Sequence, residues 1–317
     1  MSLNESARVV VQTILSRAEE LRIAEHSVAG ARVLDLGISV RGGLQAGLEL
    51  ARACLADRAD VSIVPSAVPG LAGPAVLVHS DDPVRACLAS QYAGWSVSAG
   101  KYFAMGSGPM RAAYGKEAIF DHIPGRESAE HVVGILETRK LPTEEVIAYF
   151  LERLKVTPDR LTLLCAPASS IAGSVQVVAR ALETAMHKLH ELKFDPNKVI
   201  SGFGVAPMPP IGRDDITAIG WTTDAILYGG QVTVWVDADD DEIAAVGPRV
   251  PSSSSKDHGE PFRDIFERAG KDFYKIDPHL FSPATIEFCN VKTGRRHVFG
   301  RVEPEVLRRS FGGAAGL

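Results

Sequence analysis

Little in this chain points to disulfides, membranes or nucleic acid. Only four cysteines occur among 317 residues, at positions 54, 87, 165 and 289, and none forms a Cys-x-x-Cys pair. That scatter excludes a disulfide frame or a zinc knuckle and fits reduced thiols in a cytoplasm. No apolar run reaches the length of a membrane span. The N-terminal MSLNESARVVVQTILSRAEELR is broken by Gln12, Arg17, Glu19 and Glu20, as in an amphipathic helix and unlike a signal peptide. Basic runs are missing as well, and a formal net charge of −5 offers no nucleic-acid surface. What remains is ordinary: 45% hydrophobic and 23% charged residues, enough for a full core. Small-molecule chemistry is the expectation.

Periodicity and turn residues predict mixed elements. A first helix is expected over 5–24, then a strand ARVLDLGISVRGG closing on glycines, then a helix LQAGLELARACLA. VSIVPSAV and PAVLVHSD read as neighbouring strands, followed by a helix from Pro83 to Gln91. Helices are expected over 127–137 and 143–155, the second opening on Thr143-Glu-Glu, and RLTLLCAP reads as a buried strand. SVQVVARALETAMHKLHEL (174–192) reads as one continuous helix. KVISGFGVAPMPP is a strand, with a helix near 213–219 after it. TDAILYGGQVTVWVDADDDEI reads as strand, turn and strand. A polar loop VPSSSSKDHGEPF, a helix PFRDIFERAG and a hairpin about Thr293-Gly294 complete the chain. The pattern predicts an α+β (mixed α/β) fold in two α/β lobes, residues 1–158 and 159–317.

The 174–192 stretch concentrates the chemistry. At about 100° per residue, Val175, Val178, Leu182, Met186 and Leu189 form one apolar stripe. Gln176, Arg180, Glu183, His187 and His190 gather on one flank of it. An exposed Arg-x-x-Glu pair is common and contributes only about 0.2–0.5 kcal/mol. Here, however, the N-terminal half is apolar on two sides and follows the small-residue run CAPASSIAGS. A buried arginine beside a glutamate holds the carboxylate ionised and oriented, as a water-activating base requires. A second reading makes Glu183, His187 and His190 metal ligands, since their spacing puts them on one face. MGSGPMR sets Gly106, Ser107 and Gly108 before Pro109. It is either a tight structural turn or a helix start whose N–H groups could hold an anion or let a flat ring approach. The acidic DADDDE at 237–242 reads as solvated turn and helix-cap residues.

These stretches together resemble one family. YFAMGSGPMRA (102–112), GSVQVVARALETAMHKLHEL (173–192), SGFGVAPMPP (201–210), TDAILYGG (223–230), VPSSSSKD (250–257) and DFYKIDPHLFSPA (272–284) are similar, in order, to the methenyltetrahydromethanopterin cyclohydrolases. The resemblance implies hydrolysis of the methenyl group bridging N5 and N10 of a reduced pterin to the 5-formyl form. It also implies a pterin pocket between two lobes, a cytoplasmic homotrimer, and no metal or redox cofactor. The family's Arg-x-x-Glu falls on Arg180 and Glu183, and its lysine before the glycine-rich stretch falls on Lys101. On this reading Gly106, Ser107 and Gly108 line the substrate, and Ser252 and Lys256 of the serine-rich loop hold its polar tail. A metal-dependent amidohydrolase and a non-catalytic pterin binder are the alternatives.

Overall fold

Val232, Val234 and Val236 are buried while Trp235 between them is exposed, the period-two signature of a strand with one covered face. The structure, a computed structural model, describes residues 1–270 and 275–312. The Asp272-Phe273-Tyr274 start of one quoted motif lies outside them. The strands are β1 (Ala24–Val28), β2 (Ala31–Asp35), β3 (Asp60–Pro65), β4 (Pro74–Ser80), β5 (Trp95–Ala99), β6 (Tyr102–Ser107), β7 (Val132–Glu137), β8 (Leu161–Ala166), β9 (Val199–Pro207), β10 (Gln231–Val236), β11 (Thr285–Asn290) and β12 (Arg296–Gly300). They form two six-stranded sheets, with helices beside each, which is an α+β fold.

The chain divides into two compact units, Met1–Asp60 with Val84–Gln176, and Val61–Pro83 with Val177–Leu317. Residue 158, where the sequence suggested a boundary, lies inside the first unit, and the segment 61–83 crosses over to the second.

In the first unit the strand order is β1-β2-β8-β7-β6-β5, with β2, β8 and β7 parallel and the outer pairs antiparallel. Helices Leu3–Ser16 and Leu44–Cys54 bury Val10, Ile14 and Leu50 with Val133, Ile135 and Leu164. Val146, Ile147 and Phe150 of helix Glu144–Leu154 join Val132, Leu136 and Leu163 in a second cluster. A strand buried on both faces reads as a continuous apolar run, which periodicity cannot tell from a helix. This is why the helix expected over 127–137 is instead the strand β7. The first expected helix is interrupted at Arg17, giving Leu3–Ser16 and Ala18–Leu21. The one expected after Pro83 is a π-helix, Val84–Gln91.

In the second unit the order is β12-β11-β10-β9-β4-β3; the β12–β11, β10–β9 and β9–β4 pairs are antiparallel and the β10–β11 pair is parallel. The stretch TDAILYG, expected as a strand, continues a helix Asp215–Gly229 that the Asp214 carboxylate caps by accepting the Thr217 N–H at 2.9 Å. Residues 224–229 are buried, so this half shows no amphipathic period to reveal it. The hairpin about Thr293-Gly294 is present as β11 and β12. The acidic run starts the helix Asp240–Val246, where Asp240 accepts hydrogen bonds from Asn290 and Thr293.

Candidate active site

Two glycines in β9 determine how close the helix Ala181–Glu191 lies. Gly202 and Gly204 are two residues apart, so both face the same side of the sheet. A Cβ on Gly202 would stand 2.7 Å from Leu182 Cδ1, and one on Gly204 would stand 2.8 Å from the Leu182 backbone nitrogen. No side chain fits between strand and helix there. The helix therefore rests on bare backbone at the residue immediately before Glu183.

The continuous helix expected over 174–192 is two helices. Ile171–Val178 ends, Arg180 takes φ −92° and ψ 4°, and Ala181–Glu191 begins. The Arg180 carbonyl accepts the Thr184 N–H at 2.8 Å, the first bond of the new helix. No glycine or proline marks the break; each half has its own packing. In the first unit, a Cβ on Gly47 would stand 2.6 Å from Val175, while Leu182 packs on β9 in the second. The stripe Val175, Val178, Leu182, Met186 and Leu189 is buried throughout, but its polar flank is not continuous. Gln176 belongs to the first helix and donates to Cys54 Sγ at 3.6 Å.

Arg180 and Glu183 are brought together. Their relative exposures are 7% and 4%, which removes the solvated-pair reading, and the guanidinium Nη1 lies 3.6 Å from Glu183 Oε2. At that distance the contact is an ion pair rather than a hydrogen bond. Glu183 also sits in the first turn of its helix, where the backbone N–H groups favour negative charge. Two sources of positive potential thus converge on a buried carboxylate and orient it.

The alternative ligand set does not converge. His187 Nε2 faces Glu191 at 3.9 Å, and among the described residues no three His, Cys, Asp or Glu side chains lie where they could hold one ion. Lys188, next to His187 on this helix, is only 2% exposed. No pattern in the sequence marks it.

In the first unit, Lys101 is exposed in the two-residue turn between β5 and β6. The glycine-rich stretch corrects the picture of free N–H groups. Gly106 and Ser107 belong to β6 and pair with Leu136 and Ile135 of β7. The Gly108 N–H donates to Ser90 O at 2.9 Å, and Ser107 Oγ lies 3.4 Å from Cys54 Sγ. Gly108 has φ +87°, and a Cβ there would meet Ile135 Cδ1 at 2.4 Å, so its glycine answers to conformation and packing. In the second unit, Ser252 is fully buried and donates its hydroxyl to Leu227 O. Its oxygen is also 3.3 Å from His258 Nδ1, and His258 Nε2 is 4.0 Å from Glu303. This looks like a serine triad, but the enclosed hydroxyl already donates to a carbonyl, so it is no nucleophile. Lys256 is exposed.

Fold and site describe an α+β protein with a buried carboxylate paired to a buried guanidinium. Comparison with known proteins narrows this. The family described as Cyclohydrolase (MCH) matches residues 2–311. The chain is 47% identical over 315 residues to the methenyltetrahydromethanopterin cyclohydrolase of Rhodopirellula baltica, covering 98% of this chain and 95% of that one. It is 44% identical to the Methylobacterium sp. (strain 4-46) protein of the same name, covering 98% and 97%. It is 41% identical to that of Methanococcoides burtonii, covering 98% of each. The chain belongs to the Cyclohydrolase (MCH) family.

Proposed function

We propose that this protein hydrolyses the methenyl bridge of N5,N10-methenyltetrahydromethanopterin, or of its dephosphorylated relative, reversibly to the N5-formyl form. The observation that carries the mechanism is the buried Arg180–Glu183 pair at the head of its helix. The methenyl carbon lies in an amidinium cation and is electrophilic as it stands. A water attacks it while Glu183 accepts a proton. The tetrahedral adduct then collapses: the bond from that carbon to N10 breaks as Glu183 returns its proton to N10, the adduct's hydroxyl proton passes to solvent as the C=O forms, and the formyl group remains on N5 with one proton released overall. One carboxylate serves both directions. General acid–base catalysis of this kind contributes roughly 10²–10⁴-fold.

A guanidinium repels a cationic substrate, so Arg180 is better suited to orienting Glu183 and hydrogen-bonding the water or the developing oxygen. Lys101, exposed on its turn, reaches for the pterin or that oxygen. Lys256 is the exposed member of the serine loop and suits the carrier's polar tail, while Ser252 shapes the loop from beneath. Gly106, Ser107 and Gly108 support the first unit. A homotrimer in the cytoplasm is part of the same proposal. No helix among the described residues is long and apolar enough to cross a membrane.

The test follows loss of the methenyl chromophore with wild type and Glu183→Gln, each with and without chelator. Fast wild-type hydrolysis that ignores chelator and collapses in the variant is expected. Near-normal turnover by Glu183→Gln would remove Glu183 as the base, and chelator sensitivity would move the chemistry to a metal.

A further inference from the structure

Lys188 lies on the same helix as Glu183, yet it is among the largest fully enclosed side chains of the protein. Its Nζ donates to the main-chain carbonyl of His279 over 2.6 Å. Two charges act on it: Asp277, which favours the ammonium, and Arg249, which opposes it. Burial outweighs both and lowers the ammonium to about 8. An apolar side chain would fill this space without the desolvation penalty. A lysine here therefore calls for a task that only a long donor can do.

The group it holds is itself held. Asp277 accepts the His279 N–H at 3.0 Å and the Ser255 hydroxyl at 2.7 Å. The Asp277 N–H in turn donates to the Asp257 carboxylate at 2.9 Å. The turn Pro278–Leu280 is thus braced by the serine-rich loop, and its carbonyl gives Lys188 a fixed point. Leu182 on the bare backbone of Gly204 is a first anchor for the helix. Met186 and Leu189 are buried along the same stripe, but apolar packing is non-directional and sets no hydrogen-bonded reference for the rotation. Lys188 is six residues further on, roughly 9 Å along the axis at 1.5 Å per residue. A second anchor there fixes rotation and slide together.

We propose that Lys188 is a positioning residue for Glu183: its tether to His279 sets the rotation of the helix and so the aim of the carboxylate. This rests on the reading of Glu183 as the base. A displacement of about 1 Å at a reacting group can lower a rate about 10²-fold. Lys188→Met keeps most of the stem and loses the donor. Its kcat for the methenyl substrate should fall about 10–100-fold with KM changed less than about threefold. In a Glu183→Gln background the same change should add nothing further, because the aim of an absent base is irrelevant. Asp277→Ala, at a half-buried position, loosens the fixed point instead and should give a smaller kcat-selective loss that does not add to that of Lys188→Met. This variant carries the test if Lys188→Met does not fold. Unchanged kcat in the variants, or a loss that multiplies in full with that of Glu183→Gln, would overturn the role of Lys188. Near-normal turnover by Glu183→Gln alone would instead overturn the base, whatever Lys188 does.

Discussion

The backbone nitrogen of Leu182 sits 2.8 Å from where a Cβ on Gly204 would lie, and Leu182 is the residue before Glu183. Main chain cannot turn aside as a flexible side chain can. In Gly204→Ala the whole first turn of the helix must therefore shift off the strand. Overpacking of this kind typically costs about 1–3 kcal/mol. Gly204→Ala should lower the melting temperature and, assayed well below it, should still show reduced kcat, since the carboxylate moves with the turn. Val205→Ala, which shortens a side chain on the other face of β9, should keep wild-type kcat. Equal kcat in both variants would mean that the strand does not set the position of Glu183.

Arg180→Lys separates charge from geometry. The ammonium keeps a positive charge beside Glu183 but is a point donor on a flexible stem, without the planar fork of a guanidinium. If Arg180 orients the carboxylate and the water, kcat should fall by roughly 10-fold or more with the melting temperature nearly unchanged, since one cation remains near the buried anion. A silent Arg180→Lys would reduce its role to charge alone.

Much of this site was legible in the sequence, and what was not has definite causes. The buried stripe Val175, Val178, Leu182, Met186 and Leu189 and the nearness of Arg180 to Glu183 follow from helical spacing. The break at Arg180 does not, because no glycine or proline causes it; separate packing of Val175 and Leu182 does. Strand β7 and the second half of the helix Asp215–Gly229 were exchanged for their opposites because residues buried on every side carry no period. Lys188 was invisible since a lysine on a helix is ordinarily solvated, and only the His279 carbonyl gives it a buried role. The glycine pair of SGFGV was the one cue left unused: two glycines at strand spacing leave a flat stripe on which a helix can lie.

Gly108→Ala asks whether the glycine-rich stretch supports or binds. Its positive φ and the Ile135 side chain both oppose a Cβ, and its N–H is engaged by Ser90 O. A non-glycine residue forced into such a conformation typically costs about 1–3 kcal/mol. The expected outcome is a lower melting temperature with KM for the methenyl substrate unchanged. A raised KM with unchanged melting would return Gly106, Ser107 and Gly108 to the substrate.

Asp224 gives the second unit a pH dependence with a definite sign. Its carboxyl is fully buried, accepting the Phe262 N–H at 2.8 Å and the Ser310 hydroxyl at 2.5 Å, and so joins three helices. Burial pushes it up to about 7 from an ordinary 3.8, against the pull of those two donors. Between those values the folded protein holds a proton that the unfolded chain has released. Stability therefore falls as pH rises through this window, and above about 7 the loss is complete and no longer changes. Asp224→Asn mimics the protonated form: its Oδ1 can accept from Phe262 and its Nδ2 can donate to Ser310 Oγ. Other groups titrate alike in both proteins, so their difference isolates this one. Relative to wild type, the Asn variant should gain stability as pH rises from 4 to 8, by about 2–4 kcal/mol in denaturant unfolding, and hold that gain above. A difference that stays constant across the range would mean that Asp224 ionises in the fold as it does in water.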